Sequence, residues 1–230
     1  MTKETRWTNT KFGGYHINQP LEEDVNLTHI GPGTSCGEYM RLFWQPVAMV
    51  EQLKQQPVPI RILGEDLIVF RDLSGNIGLL HRHCAHRRAS LEYGRIEQHG
   101  IRCCYHGWHF DIDGTILDTP GEPIESPIKT QLCQGAYPTI EYRGLVFAYL
   151  GPPEKKPPFA FFDSFSIPDH ELLPYSIHSP SNWLQESENS MDPFHSVFLH
   201  GRVNGPQFPG LEHFIELPVV EYFKKPEGFV

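Results

Sequence analysis

The sequence predicts an α+β protein in which an all-β domain is followed by the beginning of a domain of mixed helix and strand. Three observations predict this fold class. Short apolar runs separated by turn residues fill the stretch 38–150. Four prolines in eight residues occupy 151–158, which is typical of a stiff linker between domains. Beyond it, in 159–230, one strong helix candidate runs from about Ser181 toward His200, with a capping residue at its start.

Composition and charge exclude several classes of protein. The 230 residues are 39% hydrophobic and 12% aromatic, which is typical of a folded globular chain and not of a disordered one. The net charge of −9 provides no basic surface for a phosphate backbone, so we expect no nucleic-acid partner. No apolar run approaches the length of a membrane span, and the polar start does not resemble a signal peptide. We therefore expect a cytoplasmic protein without membrane association.

The elements of the first part follow from local patterns. Residues 1–37 have little periodicity and are expected to form an N-terminal arm. Between 39 and 53 the apolar residues favour a helical turn before Pro46 and then a strand. Two apolar runs within 59–72 surround Gly-Glu-Asp, and a third run at 77–80 follows Ser-Gly-Asn, which predicts hairpins. No helix of ordinary length is expected before residue 150.

Two short segments each supply one cysteine and one histidine. Cys84 and His86 form the first pair, and Cys103 and His106 form the second after sixteen intervening residues. Two Cys and two His can hold a tetrahedral zinc ion or a Rieske 2Fe-2S cluster, in which thiolates bind one iron and imidazoles the other. Zinc fingers usually pair Cys with Cys and His with His along the chain. One ligand of each kind per loop therefore favours the two-iron cluster, with zinc as the alternative.

The surrounding residues resemble the Rieske domain of the Rieske non-heme iron oxygenases, over about residues 36–150. The matching residues are Cys84-Ala85-His86-Arg87, Cys103-Cys104-Tyr105-His106-Gly107-Trp108 and Phe110-Asp111. The resemblance implies an all-β domain in which Cys84, His86, Cys103 and His106 bind a 2Fe-2S cluster. Imidazole ligands remove negative charge from the cluster and raise its potential, so it can accept an electron and pass it on.

Some residues of this region depart from the family pattern or flank it. Ala85 stands where proline is frequent, and Arg88 stands where glycine is frequent. Cys104 has no partner in the first loop and is expected to be an unpaired, buried thiol. The turn at 119–123 is similar in placement to the proline-bearing loop that covers the cluster in the family. Three flanking histidines are expected to be polar loop residues or hydrogen-bond partners and not ligands: His81, His83 and His109.

The helix candidate carries a second group of metal-capable residues. Asp192 and His195 are three residues apart and would share one face of a helix. His195 and His200 are five residues apart, which places them about 140° apart on an ideal helix. Both histidines can therefore bind one metal only if the helix bulges or ends between them. The spacing alone leaves an accidental pair of histidines as the alternative.

Asn182-Trp183 followed by Asp-x-x-His-x-x-x-x-His resembles the mononuclear iron helix of the same family. The resemblance implies a helix-grip-like catalytic domain, in which His195 and His200 are two ligands of a 2-His-1-carboxylate non-heme Fe(II) site. It implies that Asp192 is a bridging acid that hydrogen-bonds His195 and, across a subunit boundary, the Rieske ligand His106 of a neighbouring copy.

The third iron ligand of the family is a carboxylate far downstream, on a helix after a long sheet that this chain does not contain. Four glutamates follow the histidine pair closely in sequence: Glu212, Glu216, Glu221 and Glu227. We therefore expect an N-terminal fragment of an oxygenase α subunit, or a truncated homologue, that is inactive without the missing ligand. The segments 31–44 and 182–185 are most similar to the phthalate-dioxygenase-like branch, which implies a homotrimer for the full-length protein.

The resemblance implies the terminal oxygenase component of a Rieske system. A reductase or ferredoxin would supply electrons to the cluster, and the mononuclear iron would use them with O2. The expected reaction is hydroxylation or O-demethylation of an aromatic or similar small molecule. Two alternatives remain: a Rieske ferredoxin-like electron carrier with a vestigial C-terminal stub, and a zinc-binding interaction domain.

Overall fold

The computed structural model describes residues 9–17, 22–168, 171–201, 216–226 and 228–229. The chain divides into two compact units, residues 1–177 and 178–230. Within the described residues, no helix combines the length and apolar character needed to cross a bilayer.

The first unit is built from short strands and single helical turns. Its helices are α1 Gly14–Ile17, α2 Val25–Thr28, α3 Ser35–Met40 and α4 Ile128–Gln131. Its strands are β1 Trp44–Met49, β2 Val58–Ile62, β3 Glu65–Arg71, β4 Ile77–His81, β5 Arg95–Ile96, β6 Ile101–Arg102, β7 His109–Phe110, β8 Ile116–Asp118, β9 Ala136–Tyr137, β10 Thr139–Tyr142 and β11 Leu145–Tyr149. All pairs are antiparallel, in the orders β2-β3-β4-β9, β1-β11-β10 and β5-β6-β7-β8. The expectation of short strands is confirmed, and the described residues before 150 contain no helix longer than six residues.

Strand β3 is buried on both faces, which explains its continuous apolar run. Leu67 and Val69 pack into one core with residues of β4 and β11. Ile68 and Phe70, the alternate residues, pack into a second core that also contains Cys84 and Cys103. Because side chains alternate along a strand, β3 separates the two cores, and one of its faces packs in the core that contains the two cysteines.

The first hairpin turns one residue earlier than the sequence pattern predicts. Leu63 and Gly64 form the turn, both with positive φ (45° and 78°), as a two-residue hairpin loop requires. Glu65 and Asp66, expected in the turn, instead start β3 and pair with β2.

The expected helical turn before Pro46 ends earlier. Helix α3 ends at Met40, capped at its start by the Thr34 hydroxyl, which accepts from Gly37 N–H at 3.2 Å. Strand β1 then begins at Trp44 and includes Pro46. Proline has no N–H for the ladder, and the pairing with β11 is irregular directly after it, between Pro46 and Ala48.

The first compact unit continues past the proline-rich segment 151–158. The ring centroid of Phe159 lies 5.0 Å from that of Phe147 and 5.8 Å from that of Trp44. Phe165 lies 5.1 Å from Tyr142. These aromatic contacts hold the chain after the prolines against β1, β10 and β11, within the compact unit that extends to residue 177.

The second unit contains α5 Trp183–Met191, α6 Pro193–His195, a π-helical turn Ser196–His200, and the strands β12 Lys224–Lys225 and β13 Gly228–Phe229, which pair with each other.

Candidate metal centres

The two cysteine-bearing loops share one backbone frame. In the first loop, between β4 and β5, Cys84 N–H donates to Ala89 O at 2.9 Å and Arg88 N–H donates to Cys84 O at 2.9 Å. In the second loop, between β6 and β7, Cys103 N–H donates to the carbonyl of Trp108 at 2.8 Å, and the N–H of residue 107 donates to Cys103 O at 3.1 Å. Each cysteine is therefore the first residue of a turn closed by the same two kinds of backbone hydrogen bond. The two turns face each other, with His86 of one beside His106 of the other.

The fourth residue after each cysteine adopts left-handed backbone geometry. Arg88 has φ 64° and Gly107 has φ 74°. Such geometry costs roughly 1–2 kcal/mol for a residue with a Cβ and little for glycine. This explains physically why glycine is frequent at the position of Arg88 in the family that the sequence resembles. At Gly107 space is also tight, because an added Cβ would lie 3.3 Å from Cγ of Pro120, in the turn expected to cover the site.

The two cysteine side chains lie together in the core. Cys84 is 1% exposed and Cys103 is 3% exposed. The Cys84 thiol donates a hydrogen bond to the Cys103 sulfur, which raises the pKa of Cys84 and lowers the pKa of Cys103. Backbone N–H groups that follow each cysteine also favour the thiolate forms. A cation that replaces the shared proton would thus meet two preformed sulfur donors.

The two histidine side chains form a second pair, partly exposed at the surface. The ring centroids of His86 and His106 are 4.7 Å apart. The His86 ring stacks on the buried Trp108 at 4.6 Å, with an interplanar angle of 4°. This stacking fixes the orientation of the His86 ring, so the structure holds one imidazole pair and one sulfur pair, each contributed by both loops.

This division into pairs fits a two-iron cluster better than a single ion. Within the described part of the chain, no three His, Cys, Asp or Glu side chains converge tightly enough to hold one metal ion. Tetrahedral zinc requires four ligands around one ion. A Rieske cluster requires two sulfur ligands on one iron and two imidazoles on the other, and this matches the donor set and its arrangement.

The residues that flank the expected ligands make polar contacts around the loops. Arg102 donates to Gly107 O at 2.7 Å and to Asp118 Oδ2 at 2.8 Å. It also approaches His109 Nδ1 at 3.3 Å, while His109 Nε2 contacts the carbonyl of His99. Arginine can only donate and a carbonyl can only accept, so in these contacts Nδ1 of His109 faces a donor and Nε2 faces an acceptor, which orients the ring.

The other two flanking histidines also contact groups outside the expected ligand set. His83 Nδ1 lies 3.1 Å from Arg88 O, and His81 Nε2 lies 3.3 Å from Glu65. Cys104 is a free thiol as expected, but it is exposed and not buried, because the second loop turns its side chain away from the core.

In the second unit, the predicted continuous helix is interrupted at Asp192. This residue ends α5 and starts α6 with extended backbone geometry (φ −93°, ψ 105°). Pro193 is the physical reason, because a proline lacks the N–H for the helical ladder and disfavours helical geometry in the residue before it. The Asp192 carboxylate accepts from Phe194 N–H at 2.8 Å and caps the new helical turn.

A π-helical turn over Ser196–His200 brings the two histidines together. The sequence requires a bulge if both are to reach one metal, and the structure contains it. Because π-helical hydrogen bonds run between residues five apart, His195 and His200 lie on the same side of the helix. Their ring centroids are 5.3 Å apart.

Asp192 lies beside His195 but does not make the expected carboxylate hydrogen bond. Its Oδ2 is 3.8 Å from His195 Nδ1, and the Nδ1 instead contacts the main-chain oxygen of Asp192. A proton on Nδ1 that bonds this carbonyl leaves the Nε2 lone pair available to a metal.

Of the four candidate glutamates, Glu216 belongs to the described residues and is exposed, and Glu221 is also exposed. Glu212 and Glu227 lie outside the described residues. Among the described side chains, no carboxylate completes a three-ligand site with His195 and His200.

Comparison with known proteins agrees with this geometry. The Rieske [2Fe-2S] domain family matches residues 43–130. The oxygenase subunit of the tert-butanol monooxygenase / tert-amyl alcohol desaturase of Aquincola tertiaricarbonis is 48% identical over 84% of this chain and 42% of that protein. The phenoxybenzoate dioxygenase subunit alpha of Ectopseudomonas oleovorans is 43% identical over 91% of this chain and 54% of that protein. The chain contains a Rieske [2Fe-2S] domain and is homologous to oxygenase subunits.

The predicted similarity to phthalate dioxygenases is also found. The phthalate 4,5-dioxygenase oxygenase subunit of Pseudomonas putida is 39% identical over 78% of this chain and 42% of that protein. A solved structure of the reduced complex between oxygenase and ferredoxin in carbazole 1,9a-dioxygenase is similar over 70% of this chain and 43% of that chain, with TM-score 0.52 and 26% identity. The chain thus spans about half the length of the relatives that it matches. The fold class, a Rieske domain followed by part of a catalytic domain, is confirmed.

Proposed function

We propose that this chain supplies the electron-accepting part, and two iron ligands, of a Rieske-type terminal oxygenase. The observation that carries the proposal is the arrangement of the two loops, with paired sulfurs in the core and paired imidazoles at the surface. Cys84 and Cys103 would hold one iron of a 2Fe-2S cluster, and His86 and His106 the other. When bound, this cluster supplies one-electron redox chemistry, and the mononuclear iron supplies O2 chemistry.

The surroundings of the cluster site suit electron entry at the histidine side. His86 and His106 are partly exposed, whereas both cysteines are buried below them. Burial of the thiolates keeps water from the sulfur side. Trp108 holds the His86 ring, and Arg102 holds the carbonyl of Gly107, directly after His106. These residues keep both imidazoles in place while an electron donor approaches from solvent.

His195 and His200 would hold the mononuclear non-heme Fe(II), with Asp192 orienting His195 through its main-chain oxygen. The π-turn supports this assignment, because it gives two imidazoles a common face at a spacing that an α-helix does not allow. A third, carboxylate ligand and the substrate pocket would come from outside the described residues. We propose that Asp192 also links the two metal centres across a subunit boundary.

The relatives' names support an oxygenase more than a free electron carrier. The relatives are named as oxygenase subunits. The similarity covers 84% of this chain for the tert-butanol monooxygenase subunit and 91% for the phenoxybenzoate dioxygenase subunit, well beyond the matched Rieske domain. We propose a reductase or ferredoxin as electron donor, O2 as co-substrate, and a small, typically aromatic molecule as substrate for hydroxylation or O-demethylation. A homotrimeric assembly and a cytoplasmic location complete the proposal.

Metal and sulfide analysis of the expressed chain tests the cluster assignment. We expect two irons and two acid-labile sulfides per chain, with the electron paramagnetic resonance signal of a reduced Rieske centre. Zinc, or iron without sulfide, would overturn it. For the oxygenase assignment, the gene product expressed in full should consume O2 and form product with a reductase and substrate. Reduction of the cluster without any O2-dependent turnover across a panel of aromatic substrates would favour the electron carrier.

A further inference from the structure

Gln134 is a fully buried polar side chain that belongs to neither cysteine-bearing loop. It is 1% exposed and lies shortly before β9, on the segment that follows α4. Burying an amide without hydrogen bonds is unfavourable, so its partners identify what it does.

The Gln134 side chain makes three hydrogen bonds to backbone groups, two in the first loop and one at the last residue of β4. Its Oε1 accepts from Ala85 N–H at 2.7 Å. Its Nε2 donates to His81 O at 2.8 Å and to His83 O at 3.1 Å. The two N–H donors of the amide therefore bond carbonyls that precede Cys84, and the amide oxygen bonds the peptide N–H between Cys84 and His86. Since a backbone N–H only donates and carbonyls only accept, the orientation of the amide is unambiguous.

The backbone around Gln134 is itself fixed. Gln134 N–H donates to Gly114 O at 2.8 Å, in the turn between β7 and β8, and His81 N–H donates to Gly135 O at 2.8 Å. A Cβ at position 135 would lie 2.3 Å from Nδ1 of His81, so only glycine allows this approach. Gln134 is therefore anchored to the hairpin after the second loop while its side chain holds the first loop.

We propose that Gln134 is a positioning residue for the cluster: it sets the separation of Cys84 and His86 by holding the peptide N–H of Ala85 between them. The proposal rests on the proposed ligation by Cys84 and His86. Residues that orient metal ligands commonly change metal affinity or activity by about 10- to 100-fold when they are replaced. Their hydrogen bonds also contribute to the reduction potential of an iron–sulfur cluster.

Two variants and one control test this role in the reconstituted chain. Gln134→Met fills a similar volume without hydrogen bonds, and Gln134→Glu keeps an oxygen opposite the Ala85 N–H. Gln131→Met is the control, because Gln131 is exposed on α4. The measurements are the iron and sulfide content, the rate of iron loss to a chelator, the g-values of the electron paramagnetic resonance signal, and the midpoint potential of the cluster. Circular dichroism monitors folding.

We expect Gln134→Met to lose iron about tenfold faster than wild type and to show altered g-values and a shifted midpoint potential. Gln134→Glu should lose iron at an intermediate rate and have a lower potential, because a carboxylate beside the cluster disfavours the added electron. Gln131→Met should match wild type. If Gln134→Met folds and keeps wild-type g-values and potential, Gln134 only fills space and the proposal is wrong.

If Gln134→Met does not fold, Gln134→Glu provides the decisive measurement. Wild-type g-values and potential in this second variant would overturn the proposal. Failure of the underlying site assignment has a different signature, because wild type itself would then give no Rieske signal.

Discussion

Replacing Asp72 by Asn should weaken the link between the β3–β4 turn and the sheet that carries the cysteine loops. Asp72 is 4% exposed, and its Oδ1 accepts from Ser74 N–H, Ser74 Oγ and Asn76 N–H at 3.0, 2.7 and 2.9 Å. Its Oδ2 accepts from Gly100 N–H, in the β5–β6 turn, at 3.2 Å. Asparagine can keep the three bonds to one oxygen, but its NH2 group then faces the Gly100 N–H.

The expected loss is one charge-assisted hydrogen bond, and a buried N–H is left without an acceptor. Each of these effects typically costs about 1–3 kcal/mol, and they overlap here, so we expect a loss of about 2–3 kcal/mol. For a chain of this size the corresponding fall in melting temperature is roughly 5–10 °C. The control is Asp163→Asn, since Asp163 is exposed and accepts from the N–H of the adjacent Ser164.

The effect should depend on pH with a defined sign. Burial raises the pKa of Asp72, but the hydrogen bonds from Ser74, Asn76 and Gly100 outweigh burial, and the pKa lies below its usual value. The stability that Asp72 contributes is therefore fully present above the unfolded pKa of about 4 and is lost as pH falls through the folded pKa. Denaturant unfolding of both proteins at about pH 7 and about pH 3 measures this, and a wild-type to variant difference that stays constant with pH would refute the reasoning.

Three further outcomes are expected. Replacing His106 by Cys should keep a cluster but lower its midpoint potential in a redox titration, because a thiolate adds negative charge; an unchanged potential contradicts the ligation. Gly107→Ala should lower unfolding free energy by about 1–2 kcal/mol and reduce cluster content, since φ is 74°, whereas Gly31→Ala, with open space around it, should cause no comparable loss. Asp192→Asn in the full gene product should keep both metals and the helix cap yet slow single-turnover reoxidation of the cluster by about 10- to 100-fold; wild-type rates would return Asp192 to a capping role only.

The sequence predicts the parts of the site that depend on local spacing. One Cys and one His per segment, with turn residues around them, predict two facing loops, and the two loops are found. The five-residue spacing of His195 and His200 implies that both can reach one metal only if the helix bulges or ends between them, and the structure has a π-turn over Ser196–His200. Pro193 carries a readable signal for the interruption at Asp192, because the residue before a proline disfavours helical geometry.

Long-range contacts are beyond prediction from one sequence. Gln134 is 49 residues from Ala85, and no periodicity or motif marks it as a partner of that loop. The packing of Phe159 on Phe147 and Trp44 is likewise not marked by any local pattern in the sequence. Composition reports local stiffness, whereas burial depends on which distant surface the chain meets.

The shared frame of the two loops has a consequence for how the protein matures. Neither loop holds a complete half of the site, since each iron would take one ligand from the β4–β5 connection and one from the β6–β7 connection. Inserting the cluster would therefore tie two chain segments together, much as a disulfide does, and an incomplete cluster would leave both segments untied. Maturation should then be all-or-none: partially loaded preparations are mixtures of fully loaded and empty chains, and only the loaded chains gain resistance to proteolysis at both loops.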